Sequence, residues 1–269
     1  MKLLNGKELA GFIQERQVHQ VRALRQAHHV IPRLAIVVTI DHPVINVYMN
    51  LKQRYGHDID VLVDVYRVDQ AQVATTIAQL NADAAVHGII VQLPLADPDQ
   101  TDHIVSLVLP SKDVDGLHPA TQFDPATPMA IMWLLAGYNI DLQGKKILLV
   151  GRGKLVGAPL ERMLQASGMD VSVADRQTTD LAAATLAADI IITATGSPAI
   201  LYSSMIKQGA VVVDAGVASE DGKTVGDVAP EVYERDDVTI SAVKGGVGPL
   251  TVCALFDNVI RAARSTAQL

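Results

Sequence analysis

The stretch Lys146-Ile147-Leu148-Leu149-Val150-Gly151-Arg152-Gly153-Lys154-Leu155-Val156-Gly157-Ala158-Pro159 decides the reading of this chain. Its apolar run has strand length and no polar alternation, so residues 146–150 read as a strand buried on both faces of a parallel sheet. Glycines follow at once. They let the backbone turn tightly and approach a pyrophosphate, and the following helical segment, Val156–Gln165, would offer its N–H groups and positive dipole end to the anion. The spacing is G-x-G-x-x-x-G, one residue longer than the usual dinucleotide fingerprint, so a purely structural turn stays open at this point. A second glycine, in Thr195-Gly196, ends the third strand of the region. That carboxyl edge is where open parallel sheets border a dinucleotide.

Downstream, Asp170–Ala174, Asp189–Thr193, Ala210–Asp214 and Val238–Ile240 read as further strands, with helices at Thr179–Ala187 and Ser203–Gln208. Upstream, Asp141–Lys145 is a polar turn, Met129–Ala136 a short apolar helix, and Leu117–Pro128 a loop carrying Pro119, Pro125 and Pro128. Before that loop the alternation resumes. Leu34–Thr39, Ile59–Val65 and Gly88–Val91 have strand character, and Leu9–Arg25, Ile45–Tyr55 and Thr101–Leu107 have helical character. Val73, Ile77 and Leu80 recur at helical spacing. Strands alternating with helices predict an α/β fold in two domains. The first, residues 1–125, is an α/β domain. The second, residues 126–249, is a Rossmann-like doubly wound dinucleotide-binding domain. A terminal amphipathic helix, Leu250–Ala263, follows it within residues 250–269.

A chain of 269 residues can build one large core or two modest ones. With 49% hydrophobic and 19% charged residues, disorder is excluded. A net charge of −7 without any Lys/Arg run argues against nucleic acid as a partner. The single cysteine, Cys253, rules out an intrachain disulfide and the spacings of cysteine metal sites, and no metal is expected. The start, MKLLNGKELAGF, is broken by Asn5, Gly6, Lys7 and Glu8 and reads as neither signal peptide nor membrane span. A soluble cytoplasmic protein with no membrane partner is the expectation.

Chemistry-bearing residues punctuate both halves. Tyr48 and Lys52, four apart on a helical segment, share one face, so a ring and an amine could meet one ligand. Gln92 ends the strand in Gly88-Ile89-Ile90-Val91-Gln92-Leu93-Pro94-Leu95, at the edge where such sheets bind ligands. Pro110-Ser111-Lys112-Asp113-Val114-Asp115-Gly116-Leu117 sets two carboxylates in a tight loop. Gly245-Gly246-Val247-Gly248-Pro249-Leu250-Thr251 turns into a helix N-terminus. At the end of the second strand of the dinucleotide region stand Asp175 and Arg176. An Asp there accepts from a free ribose 2′-hydroxyl and favours NAD, whereas an Arg pairs with a 2′-phosphate and favours NADP.

Taken in order, these motifs resemble the bifunctional methylenetetrahydrofolate dehydrogenase/methenyltetrahydrofolate cyclohydrolase family. Tyr-x-x-x-Lys is followed by V-Q-L-P-L, K-D-V-D-G, T-P-M-x-I-M-x-L-L, G-R-x-x-x-V-G-x-P, G-D-V and G-G-V-G-P-x-T, from about Leu4 to about Ala263. The resemblance implies an NADP-linked oxidation of methylenetetrahydrofolate and hydrolysis of the methenyl product to formyltetrahydrofolate, with NAD as the alternative cofactor. Lys52 would be the catalytic amine, Gln92 would position it, Asp115 would hold the pterin ring, and Tyr48 would stack on the aminobenzoyl group. Gly246 would also touch the folate. The dinucleotide would contact Gly151, Arg152, Gly153, Gly157, Asp175, Arg176, Gly196 and Val217. The family fold places a cleft between a catalytic and a dinucleotide domain, returns the last helix to the first domain, and assembles as a homodimer.

Some positions depart from the family pattern. A hydroxyl gives way to Ile45, T-P-V-P becomes Ser241-Ala242-Val243-Lys244, and the serine of G-R-S becomes Gly153. His-Ser becomes Asp175-Arg176, the loop 117–128 is shorter and lacks N-x-G, and the cysteine of P-C-T-P is Ala126. These changes motivate two alternatives: a catalytically impaired paralogue that binds folate or dinucleotide, and an enzyme with cyclohydrolase activity alone.

Overall fold

The structure is a computed structural model that describes residues 2–220 and 223–267. In chain order its elements are β1 (Lys2–Leu4), α1 (Gly6–His28), β2 (Arg33–Val38), α2 (Pro43–Asp58), β3 (Leu62–Arg67), α3 (Val73–Ala82), β4 (Gly88–Val91), α4 (Thr101–Val105) and α5 (Ala126–Gly137). Then come β5 (Ile147–Val150), α6 (Gly157–Ala166), β6 (Val171–Ala174), α7 (Leu181–Ala187), β7 (Ile190–Thr193), β8 (Val211–Asp214), β9 (Ala218–Glu220), β10 (Lys223–Val225), β11 (Thr239–Ser241) and α8 (Val247–Thr266). They cluster into two compact units. One combines Gly11–Ala126 with Val252–Leu269; the other combines Met1–Ala10 with Thr127–Thr251.

The first unit is built on a parallel sheet of order β3-β2-β4, with β2 central and wholly apolar from Leu34 onward. Val73, Ile77 and Leu80 of α3 are buried with Ala35, Val37, Ile89 and Val91, so the helical spacing seen in the sequence does face the sheet. From α8, the buried Gln17 side chain receives a carbonyl partner: Gln17 Nε2 donates to the Cys253 carbonyl at 2.8 Å. Fully buried Asn258 donates through Nδ2 to the Val114 and Asp124 carbonyls, each at 2.9 Å, and so ties both ends of a long loop to one helix.

The second unit holds a parallel sheet of order β1-β11-β8-β7-β5-β6. From β5 the chain moves outward to β6, then returns to the other side of β5 to lay down β7, β8 and β11. That reversal puts a topological switch point between β5 and β7, where a crevice opens at the carboxyl ends. Leu148, Val150, Ile191, Val212 and Ile240 form part of its core.

Several expected boundaries shift, each for a local reason. The strand expected from Ile59 starts at Leu62, because residues 59–61 finish α2: Val61 N donates to the Gly56 carbonyl at 2.8 Å and Asp60 adopts φ 61°. The helix expected at Ser203–Gln208 is a single 3₁₀ turn, Ser203–Met205. The helix α5 begins at Ala126, inside the expected loop, since Pro128 fits the first turn, where no N–H is required. β1 and the antiparallel β9–β10 pair were not anticipated. Residues 1–10, expected with the first domain, cluster with the second because β1 adds in parallel to β11.

Candidate functional site

In the first unit, three of the expected residues meet. Lys52, on the second half of α2, donates through Nζ to Gln92 Oε1 at 2.9 Å. Gln92 leaves β4 still in the ladder, its N–H donating to the Val37 carbonyl at 2.9 Å. Its amide is oriented by its other end, since Nε2 donates to the Leu93 carbonyl at 3.0 Å. The carbonyl oxygen of Gln92 is thereby aimed at the lysine, and the amide cannot flip without breaking both bonds.

Asp115 arrives from a loop anchored on every side. Lys112 Nζ donates to the carbonyls of Leu80, Asn81 and Asp83 at the C-terminal end of α3, at 3.0, 2.9 and 2.7 Å. The Lys112 carbonyl accepts from Ile89 N at 2.8 Å, which fastens the loop alongside β4. Asp113 is buried and accepts the His118 N–H at 2.8 Å. Val114 is buried over Gly88, where a Cβ would come within 2.8 Å of it. Gly116, at φ 75°, then reverses the chain. Only Asp115 of the K-D-V-D-G loop is left for chemistry.

Burial pushes the Lys52 amine below its ordinary value, with attraction to Asp115 opposing. Burial pushes the Asp115 carboxyl above its ordinary value, with Lys52 opposing and Asp113 adding to the rise. Both groups are thus driven toward their neutral forms by desolvation and toward their charged forms by each other. Opposed influences of this kind are common among groups that serve as acids and bases. Tyr48 lies one turn before Lys52 and is 41% exposed, so its ring is open to a ligand. Ile45 is buried at 6% exposure, so the side chain that replaces a hydroxyl joins the core of this unit.

In the second unit, the glycine turn has the shape the sequence predicts. Gly151 adopts φ 100°, and a Cβ there would lie 2.8 Å from the Ala194 carbonyl. A Cβ on buried Gly157 would collide with the Gly151 carbonyl. Gly153 has nothing within 4 Å of where its Cβ would be, so its missing side chain leaves open space rather than relieving a clash. α6 starts directly behind this turn with no side-chain cap. A cradle without Cβ atoms in front of an uncapped helix N-terminus fits a dinucleotide pyrophosphate.

The facing wall is Ala194–Ser197. Gly196 adopts φ 66°, and its Cβ would approach the Val217 carbonyl at 3.3 Å, so Gly196 and Val217 border one space. Two acids that sequence reading passed over hold this wall. Asp227 is fully buried and accepts the Thr195 N–H at 2.7 Å and the Ser197 N–H at 3.0 Å. Asp214 accepts from Gly216 N, Asp227 N and Val228 N at 3.0, 3.1 and 3.1 Å. Burial drives its carboxyl above the ordinary value, against the pull of those N–H donors. Gly216 and Gly226 leave the room: a Cβ on either would overlap the carboxylates of Asp227 and Asp214 respectively. The only local signals were the G-D-V motif, which contains Asp227, and Gly216 two residues after Asp214 at the end of β8.

At the end of β6, Asp175 and Arg176 are both exposed. Asp175 Oδ1 accepts the Gln177 N–H at 2.9 Å, so its carboxylate is partly occupied by its own turn. Arg152 is paired with Glu161. Gly246 is buried, and a Cβ on it would lie 2.5 Å from the Ala242 carbonyl, so its glycine has a packing reason within this unit. Among the described residues, no group of three or more His, Cys, Asp or Glu is placed to hold a metal, and no helix is long and apolar enough to cross a membrane.

Residues 4–115 match the family described as tetrahydrofolate dehydrogenase/cyclohydrolase, catalytic domain, and residues 125–267 match its NAD(P)-binding domain. A Campylobacter jejuni protein named bifunctional protein FolD is 36% identical over 98% of this chain and 99% of its own length. The crystal structure of the bifunctional methylenetetrahydrofolate dehydrogenase/cyclohydrolase from Campylobacter jejuni superposes with a TM-score of 0.93 at 37% identity, covering 98% of this chain and 99% of that one. A Trypanosoma brucei dehydrogenase–cyclohydrolase complexed with NADP and an inhibitor also superposes at 0.93, with 27% identity over 99% and 98% of the two chains.

Proposed function

Because the chain belongs to the tetrahydrofolate dehydrogenase/cyclohydrolase family, we propose that it oxidises methylenetetrahydrofolate with a nicotinamide dinucleotide and hydrolyses the methenyl product to formyltetrahydrofolate. The observation that carries this reading is the Lys52–Gln92 hydrogen bond beside Asp115. It gives a buried amine with a lowered pKa a fixed orientation, which a hydrolytic step can use and a simple binding protein would not need.

In the oxidation, the chain's task is orientation rather than proton transfer. Tyr48 stacks on the aminobenzoyl ring, and Asp115 holds the pterin by hydrogen bonds. When bound, NADP supplies the hydride acceptor. The cradle Gly151, Gly153 and Gly157 and the wall at Gly196 and Val217 hold its backbone, and Arg152 and Arg176 are the groups that a 2′-phosphate would reach. The Trypanosoma relative binds NADP, and two arginines against Asp175 favour NADP here, with NAD as the alternative.

In the hydrolysis, water adds to the methenyl carbon. Neutral Lys52 accepts the first proton that the water loses and passes it to the ring nitrogen as its bond to carbon breaks, while the remaining hydroxyl proton leaves to solvent as the formyl C=O forms. Gln92 keeps one Lys52 N–H directed away from the substrate. Gly246 is a further folate contact in this reading. Assembly as a homodimer and a cytoplasmic location belong to it too, and both rest on the family resemblance.

The test is an absorbance assay of methylenetetrahydrofolate oxidation with NADP and with NAD, beside methenyltetrahydrofolate hydrolysis by the parent and Lys52→Met. We expect both activities in the parent. We expect hydrolysis to be lost in the variant while the chain still folds, since methionine fills the space of the lysine stem and leaves no buried amine without a partner. Hydrolysis by Lys52→Met at the parental rate refutes the assignment.

A further inference from the structure

Arg152 is the first side chain after the β5 strand, inside the glycine turn, and its planar guanidinium is suited to bidentate capture of a phosphate. In this structure that fork is already taken. Nε donates to Glu161 Oε2 at 2.8 Å and Nη2 to Glu161 Oε1 at 3.4 Å. The two partners are unequally placed. The Glu161 side chain is 13% exposed and that of Arg152 is 60% exposed, so the acid is anchored and the arginine reaches to it. Gln165, one turn further along α6, also donates to Glu161 Oε1, at 3.4 Å, and steadies it from the far side.

A dinucleotide without a 2′-phosphate makes no demand on this pair. One with a 2′-phosphate must draw Arg152 away from a fixed carboxylate and place its own negative charge near the acid left behind. Glu161 therefore opposes binding of the phosphorylated cofactor twice, by competing for the arginine and by repelling the phosphate. On the adjoining strand end, Asp175 Oδ1 accepts the Gln177 N–H, while the Arg152 guanidinium is directed to Glu161.

We propose that Glu161 is a specificity-determining residue that weakens the chain's preference for NADP over NAD by holding Arg152. This rests on the cofactor reading above. The glutamine variant keeps the side-chain length and an acceptor oxygen but removes the charge. The experiment is calorimetric titration of the parent, Glu161→Gln, Arg152→Ala and the double variant with NADP and with NAD.

In Glu161→Gln the NADP Kd should fall about fivefold, the scale of an ion pair near a protein surface, while the NAD Kd stays within about twofold. Against an Arg152→Ala background the same change should give a clearly smaller gain, the part that comes from relieved repulsion alone. An unchanged NADP-to-NAD affinity ratio in Glu161→Gln overturns the proposal. So does a gain of equal size in the double variant, which would mean that Arg152 is not the route. A parent that binds neither dinucleotide overturns the cofactor reading itself, and the Glu161 role falls with it.

Discussion

Replacing Asp227 by Asn tests how the dinucleotide wall is held. The side chain is fully buried, and each oxygen accepts one main-chain N–H, from Thr195 at 2.7 Å and Ser197 at 3.0 Å. Asparagine is nearly isosteric but has one acceptor oxygen, so its NH₂ must face one of those two donors. The loss is one charge-assisted hydrogen bond and weakening of the other. Bonds to charged groups are worth about 1.5–3 kcal/mol each, and an N–H left without an acceptor adds ~1–3 kcal/mol if water cannot reach it. Ser197 is exposed, so water can replace part of that second term. Removing a carboxylate beside Asp214 gives some back, because Asp227 is one cause of the upward shift at Asp214. The net expectation is a destabilisation of about 2–3 kcal/mol. That corresponds to a fall in melting temperature of roughly 4–10 °C for a unit of this size. The NADP Kd should rise with it, because the Thr195-Gly196-Ser197 turn is no longer pinned. Gly216→Ala should do the same, by pushing the Asp227 carboxylate from its place. Calorimetric melting and NADP titration of both variants check this. A melting temperature within 1 °C of the parent, with unchanged NADP affinity, would refute the claim that this acid holds the wall.

Three further outcomes follow from the geometry. Asp115 raises the Lys52 pKa against the effect of burial, so Asp115→Asn should shift the acid limb of the hydrolysis pH profile to lower pH; a shift to higher pH, measured at saturating substrate, contradicts the pairing. Asn258→Ala removes both donors to the Val114 and Asp124 carbonyls and should cost about 2–4 kcal/mol in denaturant unfolding, with hydrolysis slowed because the Asp115 loop loses its tie. Gly157→Ala forces a clash with the Gly151 carbonyl; dinucleotide binding should fall at least about tenfold by titration, while methenyltetrahydrofolate hydrolysis persists.

What the sequence disclosed and what it hid divide along the range of the interactions concerned. β4 and β5 were legible because a buried parallel strand announces itself within four or five residues, and Gly151 and Gly157 because a turn constrains its own backbone. Lys52, Gln92 and Asp115 were legible as separate motifs, and the fold then put Lys52 against Gln92, forty residues apart in the chain. β1 was missed for the opposite reason. Three residues, two of them exposed, leave no periodicity to read, and the strand exists only because β11 offers an edge.

The acids show the same division more sharply. Nothing near Asp227 in the sequence says that its partners are the N–H groups of residues 195 and 197. Nothing near Arg152 says that residue 161 will take its guanidinium, since a spacing of nine is not a neighbour relation on a helix when a turn intervenes. These unforecast contacts decide how the departures from the family pattern should be weighed. Ile45 enters a core, and Ser241 keeps its hydroxyl, which accepts the Asp214 N–H at 2.9 Å. Gly153 opens space without disturbing Gly151 or Gly157. None of the three is a partner in the Lys52–Gln92 hydrogen bond. The departure that bears on chemistry is the charge arrangement at the cofactor end, where Asp175 and Glu161 stand against Arg176 and Arg152. Under the cofactor reading proposed above, its expected consequence is a difference between two dinucleotides rather than a loss of catalysis.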